Sequence, residues 1–394
     1  GSGTTPASSC LQYYESEDVN WIQSGDIYGI DTIIKTNTMI SNAAVRSLSA
    51  LHVYNPDFIV VAMYGGSVGN IAISKIEACV NQACCCIRTD NQNDLKFMYY
   101  WIYMCKSDFL RVSEGGGQPN ISQAKIRNQY YMQPPLAEQR RIADFLDTKC
   151  AEIDALTADI QTQIDTLEQY KRSVITEAVT KGLNPDAEMK DSGIEWIGEI
   201  PATWNIIRGK YLFKYLQKPV KEDDGVITCF RDGEVTLRSN RREDGFTMSD
   251  KEIGYQGIDV GDLVVHGMDG FAGAIGISDS RGKASPVLNV MDTKQNKRYI
   301  MYYLRSMAYS DVFVALATGI RVRSCDLRWN KLADLPYPVP NIEEQIAIVE
   351  YIDATLEKTD AVITEKKSQI ETLDEYKKSL IYEYVTGKKE VPSL

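Results

Sequence analysis

The chain has 394 residues, 44% of them hydrophobic and 25% charged, a balance that suits a globular protein with more than one core and excludes disordered and collagen-like classes. Its longest apolar stretches, such as 58–63 and 263–265, fall far short of the ~20 residues a membrane-spanning helix needs, and no signal-peptide pattern opens the chain, so a cytoplasmic location is expected. The formal net charge of −11 argues against a strongly basic nucleic-acid binder, but it is unevenly spread: −2 over 1–133, −3 over 134–183, −1 over 184–337 and −5 over 338–394.

In chain order, the first globular region (1–133) contains a strand, a glycine-containing turn and a second strand across 58–74, with the run Cys84, Cys85 and Cys86 shortly after. The nine cysteines show no C-x-x-C pair, and only His52 and His266 could join them on a metal, so reduced thiols acting as small apolar residues are expected and no metal site. Tyr99-Tyr100-Trp101 begins an aromatic-rich helix that is expected to pack on its own core rather than stack bases. A glycine triplet at 115–117 follows as a loop.

From Pro134 to Thr180 the sequence aligns without gaps on Pro340–Thr386, at a constant offset of 206. Within the first copy, positions 143, 146, 150, 153, 157, 160, 164, 167, 171 and 174 step alternately by three and four and are mostly apolar; the second copy repeats the seam from 349 to 380. Both read as long helices in need of a partner along about 36 residues, roughly 54 Å, and the economical partner for one is the other, with Thr157 and Lys366 as register-fixing polar positions. Pro134-Pro135 and Pro340 mark the starts, and Gly182 and Gly387 the ends. The expected fold is therefore α+β: domains at 1–133 and 184–338, a central helix at 134–183 and a C-terminal helix at 339–394, the two helices forming an antiparallel coiled coil with internal pseudo-two-fold symmetry. The second domain repeats the first loosely: 262–278 resembles 58–74, and Tyr302-Tyr303-Leu304 resembles Tyr99-Tyr100-Trp101.

No phosphate cradle of the G-x-x-x-x-G-K-[ST] type is present, the nearest text to an amino-methyltransferase loop is Asn55-Pro56-Asp57, and no hydrolase constellation is found, so a non-catalytic protein is expected.

The most specific phrases are KDSGIEWIGEIPATW at 190–204 and PPLAEQRRI at 134–142, with the shorter phrases GTTP (3–6), WIQSGDI (21–27) and QPNIS (118–122) in the first domain. In the order of these phrases and in its duplication the sequence resembles the specificity subunits of type I restriction–modification systems. Unlike the second domain, the first has no tryptophan-rich phrase and no counterpart of Arg208–Phe213 ahead of it. The resemblance implies a non-catalytic subunit whose two domains each read half of a bipartite target in double-stranded DNA. It also implies a helix pair that spaces the domains and seats two methyltransferase subunits, with restriction/translocase subunits as further partners. S-adenosylmethionine would sit on the methyltransferase subunits and ATP with Mg²⁺ on the restriction subunits, and no cofactor on this chain. A decoy or scaffold that binds methyltransferase subunits without DNA targeting would have the same text.

Base-reading candidates are loop residues with bidentate or adaptable polar groups: Tyr64, Ser67, Gln118, Asn120, Ser122 and Lys125 in the first domain, and Arg231, Arg238, Arg241, Arg242, Arg321 and Arg323 in the second. For each, the competing reading is a solvated charge or a phosphate contact.

Overall fold

The computed structural model describes residues 1–114, 119–241, 253–316 and 327–392. The chain divides into two compact units, one made of Gly1–Ile160 with Ser368–Leu394 and the other of Gln161–Lys367. The division falls inside both long helices, Leu136–Lys181 and Ile342–Val385, so each unit holds one globular region and one stretch of each helix.

In the first unit, strands β1 (Thr32–Ile33), β2 (Phe58–Ala62), β3 (Ile71–Ser74) and β4 (Cys84–Ile87) form a sheet of order β1-β3-β2-β4, with β2 antiparallel to both neighbours. Every β2 residue is buried because the sheet is covered on both faces, which is why the strand reads as a continuous apolar run. Ile59 and Val61 join one core, while Phe58, Val60 and Ala62 join the other. The cysteine run obeys the same alternation: Cys85 faces the first core, and Cys84 and Cys86 the second. Burial pushes the Cys84 thiol up to about 12 and Cys79 to about 11, as expected of inert, apolar packing.

Helix α1 (Leu95–Met104) starts where the Asp94 carboxylate accepts from the N–H groups of Lys96 and Phe97, and it buries Phe97, Tyr99, Tyr100 and Trp101. These rings line the first core, as the sequence reading anticipated. A short helix α2 (Gln123–Arg127) follows. Ala143, Leu146, Cys150 and Ile153 of the first long helix close that core together with Leu380, Ile381 and Tyr384 of the second. Phe145 and Tyr384 lie 4.5 Å apart between ring centroids, and Lys377 Nζ meets Asp154 at 2.7 Å, so low numbers on one helix meet high numbers on the other and the stretches run antiparallel.

The second unit contains β5 (Asn205–Arg208), β6 (Phe213–Tyr215), β7 (Leu263–His266), β8 (Ile275–Ile277), β9 (Leu288–Thr293), α3 (Lys297–Tyr309), α4 (Trp329–Asp334) and β10 (Pro336–Val339). Its main sheet has the order β6-β9-β7-β8, and β5 pairs antiparallel with β10. The register repeats that of the first unit: Val61 faces Ile71 and Cys85, and Val265 faces Ile275 and Asn289. α3 is capped by Asn296 as α1 is by Asp94. The core gathers Trp204, Tyr299, Tyr303 and Tyr337 with Ile175 and Val179 of the first long helix and Ile348 and Ile352 of the second. Here too the helix stretches are antiparallel, with Lys171 Nζ 2.6 Å from Asp360 and Lys366 Nζ donating to Gln163 Oε1 at 2.5 Å. The expected heptad seam is visible in burial: Ala143, Leu146, Cys150, Ile153, Ile160, Ile164 and Val174 on one helix, and Val349, Ile352, Thr359, Ile363 and Leu380 on the other. Among the described residues, no helix is long and apolar enough to cross a membrane.

Candidate nucleic-acid interface

In the first unit the turn between β2 and β3 is held by its own backbone. Gly65 adopts φ +67°, a left-handed conformation that favours glycine, and donates to Pro119 O at 2.8 Å. Ser67 Oγ donates to Tyr64 O at 2.8 Å, which fixes the turn and leaves the Tyr64 ring half exposed. Tyr64 and Glu114 both bridge to Asn120, and Ile121 N donates to Met63 O at 2.9 Å, so the segment around Asn120 is stitched to the turn. Ser122 caps α2 by accepting from Lys125 N. The Lys125 ammonium donates to Val112 O at 2.6 Å and Glu114 Oε1 at 2.7 Å.

Five of the six sequence candidates in this domain therefore fall in one cluster: Tyr64, Ser67, Asn120, Ser122 and Lys125. The sixth, Gln118, lies outside the described residues. Their polar groups are not equally available. Ser67, Ser122 and Lys125 spend theirs on loop shape, whereas the Tyr64 ring and the Asn120 amide have no side-chain hydrogen bond among the described residues. Glu114, which sequence reasoning passed over, neutralises Lys125, and that lysine in turn holds the Glu114 carboxyl below its ordinary value.

In the second unit the matching turn follows β7, and the register places Met268, half exposed, at the position of Tyr64. His266 shapes this turn: its Nδ1 accepts from the N–H groups of Met268 at 3.2 Å and Asp269 at 3.0 Å. An acceptor nitrogen carries no proton, and burial lowers the imidazole pKa, so the neutral form is favoured. Arg231 Nη2 donates to Asp269 Oδ1 at 2.9 Å while staying largely exposed. Arg241 lies 4.2 Å over the Phe230 ring and pairs with Asp232 at 2.7 Å and Glu234 at 3.3 Å. Arg238 donates to Thr228 Oγ1 at 3.3 Å. Arg231 is thus tied to the turn, and Arg241 to the adjacent segment 230–234; Arg238 lies one step further along. Arg242, Arg321 and Arg323 lie outside the described residues. His266 and Asp269 were missed, since a lone histidine carries no motif; the signal that could have found them is their place in the repeated strand–turn–strand text.

Each cluster is a polar, partly exposed loop group on a rigid sheet, which is how recognition surfaces are built. Among the described residues, no group of three or more His, Cys, Asp or Glu could hold a metal ion.

Residues 1–166 match the type I restriction modification DNA specificity domain. The chain is similar to the type I restriction enzyme MjaVIII specificity subunit of Methanocaldococcus jannaschii, 25% identical over 90% of this chain and 84% of that one. It is also similar to the EcoBI specificity subunit of Escherichia coli, 23% identical over 84% of this chain and 74% of that one. A solved structure from work on complex assembly and conformational transition of the type I R-M system shares the fold, with a TM-score of 0.69, 14% identity, and coverage of 93% of this chain and 91% of that one. Residues 1–166 thus match the model of the type I restriction modification DNA specificity domain, and over most of its length the chain is similar to specificity subunits of type I restriction enzymes.

Proposed function

We propose that this chain supplies the DNA sequence specificity of a type I restriction–modification complex: each unit reads one half of a bipartite duplex target, and the chain performs no chemistry itself. The observation that carries this reading is the pair of turns after β2 and β7. They stand on the same sheet register, yet one presents Tyr64 and Asn120 and the other Met268, Arg231 and Asp269. One scaffold with two different reading faces suits a target of two unlike halves. Tyr and Asn suit adaptable polar and adenine-edge contacts, and Arg suits guanine or phosphate.

On this reading the duplicated helices seat two methyltransferase subunits, which hold S-adenosylmethionine, and restriction subunits bring ATP and Mg²⁺. The complex would work in the cytoplasm, where its DNA is. The test is to map methylated bases in cells carrying the methyltransferase subunit with and without this chain. A bipartite motif that appears only with the chain supports the proposal. Methylation that is absent, or unchanged by the chain, refutes it.

A further inference from the structure

In the second unit, the cleft between the long helices and α3 holds charge that its own neighbours do not balance. It measures about 690 Å³ and opens beside the turn after β7, whose Phe271 and Ala272 line it together with Arg231. Most of its charged groups are spent. Lys171 sits between Glu168 at 3.2 Å and Asp360 at 2.6 Å, Asp232 pairs with Arg241 at 2.7 Å, and Arg231 pairs with Asp269 at 2.9 Å. Arg172 and Arg305 are the exceptions. Arg172 lies 5.4 Å over the Tyr309 ring and, among the described residues, its guanidinium has no hydrogen bond or ion pair. Arg305 Nε donates to Ile275 O at 2.9 Å, which aims the guanidinium, but no carboxylate meets it among the described residues. Gly233, at φ +88°, leaves the space this guanidinium needs: a Cβ there would lie 1.6 Å from Arg305 Nη2.

The one carboxylate lining the cleft that has no partner among the described residues is Asp311, so two unspent guanidiniums stand against one unspent carboxylate. The matching cleft of the first unit, of about 420 Å³, has no such surplus. Counted from the caps Asp94 and Asn296, Tyr103 stands there in the place of Arg305. Each lysine lining that cleft meets an aspartate: Lys75 meets Asp57, Lys96 meets Asp147, and Lys377 meets Asp154. Lys378, the repeat mate of Arg172, holds Asp374 at 2.6 Å. The positive excess therefore belongs to the second unit and not to the shared scaffold.

We propose that this cleft binds a phosphodiester group of the duplex backbone, held by Arg172 and Arg305 beside the half-site that the second unit reads. The planar guanidinium fork matches the oxygens of a phosphate, and its weak hydration lets it wait unpaired in a cleft. The Tyr309 ring and Ile275 O hold the two groups in place beforehand, so little side-chain freedom is lost on binding. Position names the ligand: Phe271 and Ala272 belong to the same turn as Met268 and Asp269, so the site continues the reading face. Such a contact fixes the register of the unit on its half-site and adds affinity, without preferring any base. The inference rests on the proposal that this chain supplies DNA specificity.

The full chain, in complex with its methyltransferase subunit, is titrated with a duplex carrying the methylated motif between about 50 and 200 mM salt. Arg172→Gln with Arg305→Gln should weaken binding about tenfold at the lower salt, reduce the slope of log K against log salt by about one, and leave the motif unchanged. Duplexes in which single phosphates are replaced by neutral methylphosphonates locate the contact. A replacement beside the half-site that Tyr64→Ala leaves intact should cost the unsubstituted chain about tenfold and the double variant nothing. Asp311→Asn suits the left-handed backbone at φ +55° and should melt with the unsubstituted chain while tightening binding about twofold or more at low salt. With the motif retained, an unchanged slope, a methylphosphonate cost that survives in the double variant, or unchanged affinity in Asp311→Asn overturns this inference alone. Loss of the methyltransferase subunit from the double variant does so too, since the cleft would then seat a protein carboxylate. A complex that binds no duplex, or yields no motif, overturns the proposed function and this inference with it.

Discussion

The Gln139 side chain accepts a hydrogen bond from the backbone N–H of Asp94 at 2.8 Å, and Gln345, its repeat mate, accepts from the N–H of Asn296 at 2.9 Å. Both glutamines are fully buried, and each donates one amide N–H to the start of its own long helix, Gln139 to Pro134 O and Gln345 to Pro340 O, and another to the segment ahead of the aromatic helix, to Gln92 O and Gln295 Oε1 respectively. Asp94 and Asn296 are the caps of α1 and α3, so one side chain fastens each aromatic helix to a long helix within its unit. Replacing Gln139 or Gln345 with Leu strands a buried N–H and carbonyls. Each change should cost about 2 kcal/mol, measured as a shift in the urea midpoint of the full chain. A shift within about 0.5 kcal/mol, the usual span of surface changes, would show the knot to be unimportant.

A second relationship crosses the repeat. Lys171 meets Asp360 within one unit and Lys377 meets Asp154 within the other, which is the same ion pair with the two copies exchanged. The carboxylates are about half exposed, so each pair contributes modestly, ~0.5 kcal/mol. Lys171→Asp should lower stability, and Lys171→Asp with Asp360→Lys should restore it. A double-mutant cycle in low and high salt reads the coupling, which should shrink with salt. A coupling of zero in low salt would mean that the pair does not help set the register.

Much of this was legible beforehand, for identifiable reasons. The seam from Ala143 to Val174 is a period, and periods survive in sequence when partners are unknown. The run Phe58–Ala62 announces a strand buried on both faces, and the cysteines Cys84–Cys86 share its alternation. Tyr64 and Ser67 were legible as turn residues and Asn120, Ser122 and Lys125 as polar residues after the glycine triplet, but that the two segments are stitched together was not. What could not be read was how polar groups are spent. Gln139 looks like any helix-surface glutamine, and Lys125 looks free until Glu114 is found beside it. His266 acts on backbone N–H groups two and three residues on, a contact that has no side-chain partner to recognise.

The reading faces can be separated by substitution. Tyr64→Ala with Asn120→Ala should relax or abolish one half of the methylated motif, and Arg231→Ala should affect the other half only. A base contact of this kind is worth about 1–3 kcal/mol, so the affected half should lose tenfold or more in selectivity. Genome-wide methylation mapping gives the answer. Identical changes in both halves from either variant would contradict the assignment of one half to each unit.

His266 offers a sharper probe of loop shape. His266→Leu removes the acceptor for two N–H groups, whereas His266→Asn keeps an acceptor that can bond the N–H two or three residues on. The leucine variant should degrade the half-motif read by the second unit, and asparagine should restore much of it. Equal loss in both would point to packing rather than to the acceptor.

Acid should act first on an ion network in the second unit. Asp259 pairs with Lys218 at 2.7 Å and with Arg281 at 2.5 Å; Arg281 also holds Asp224 at 2.9 Å, and Lys218 holds Asp262 at 2.7 Å. Lys218 first, and then Arg281, hold the Asp259 carboxyl down at about 2. Since an unfolded aspartate titrates near 3.9, the folded form binds its proton less readily than the unfolded form. The stabilisation is therefore complete above about pH 4 and fades as pH falls toward about 2. Thermal midpoints between pH 6 and pH 2 should fall most steeply in that window, and Asp259→Asn should lower the midpoint at neutral pH while flattening the acid slope. An unchanged slope in the variant would assign the acid sensitivity to other carboxylates.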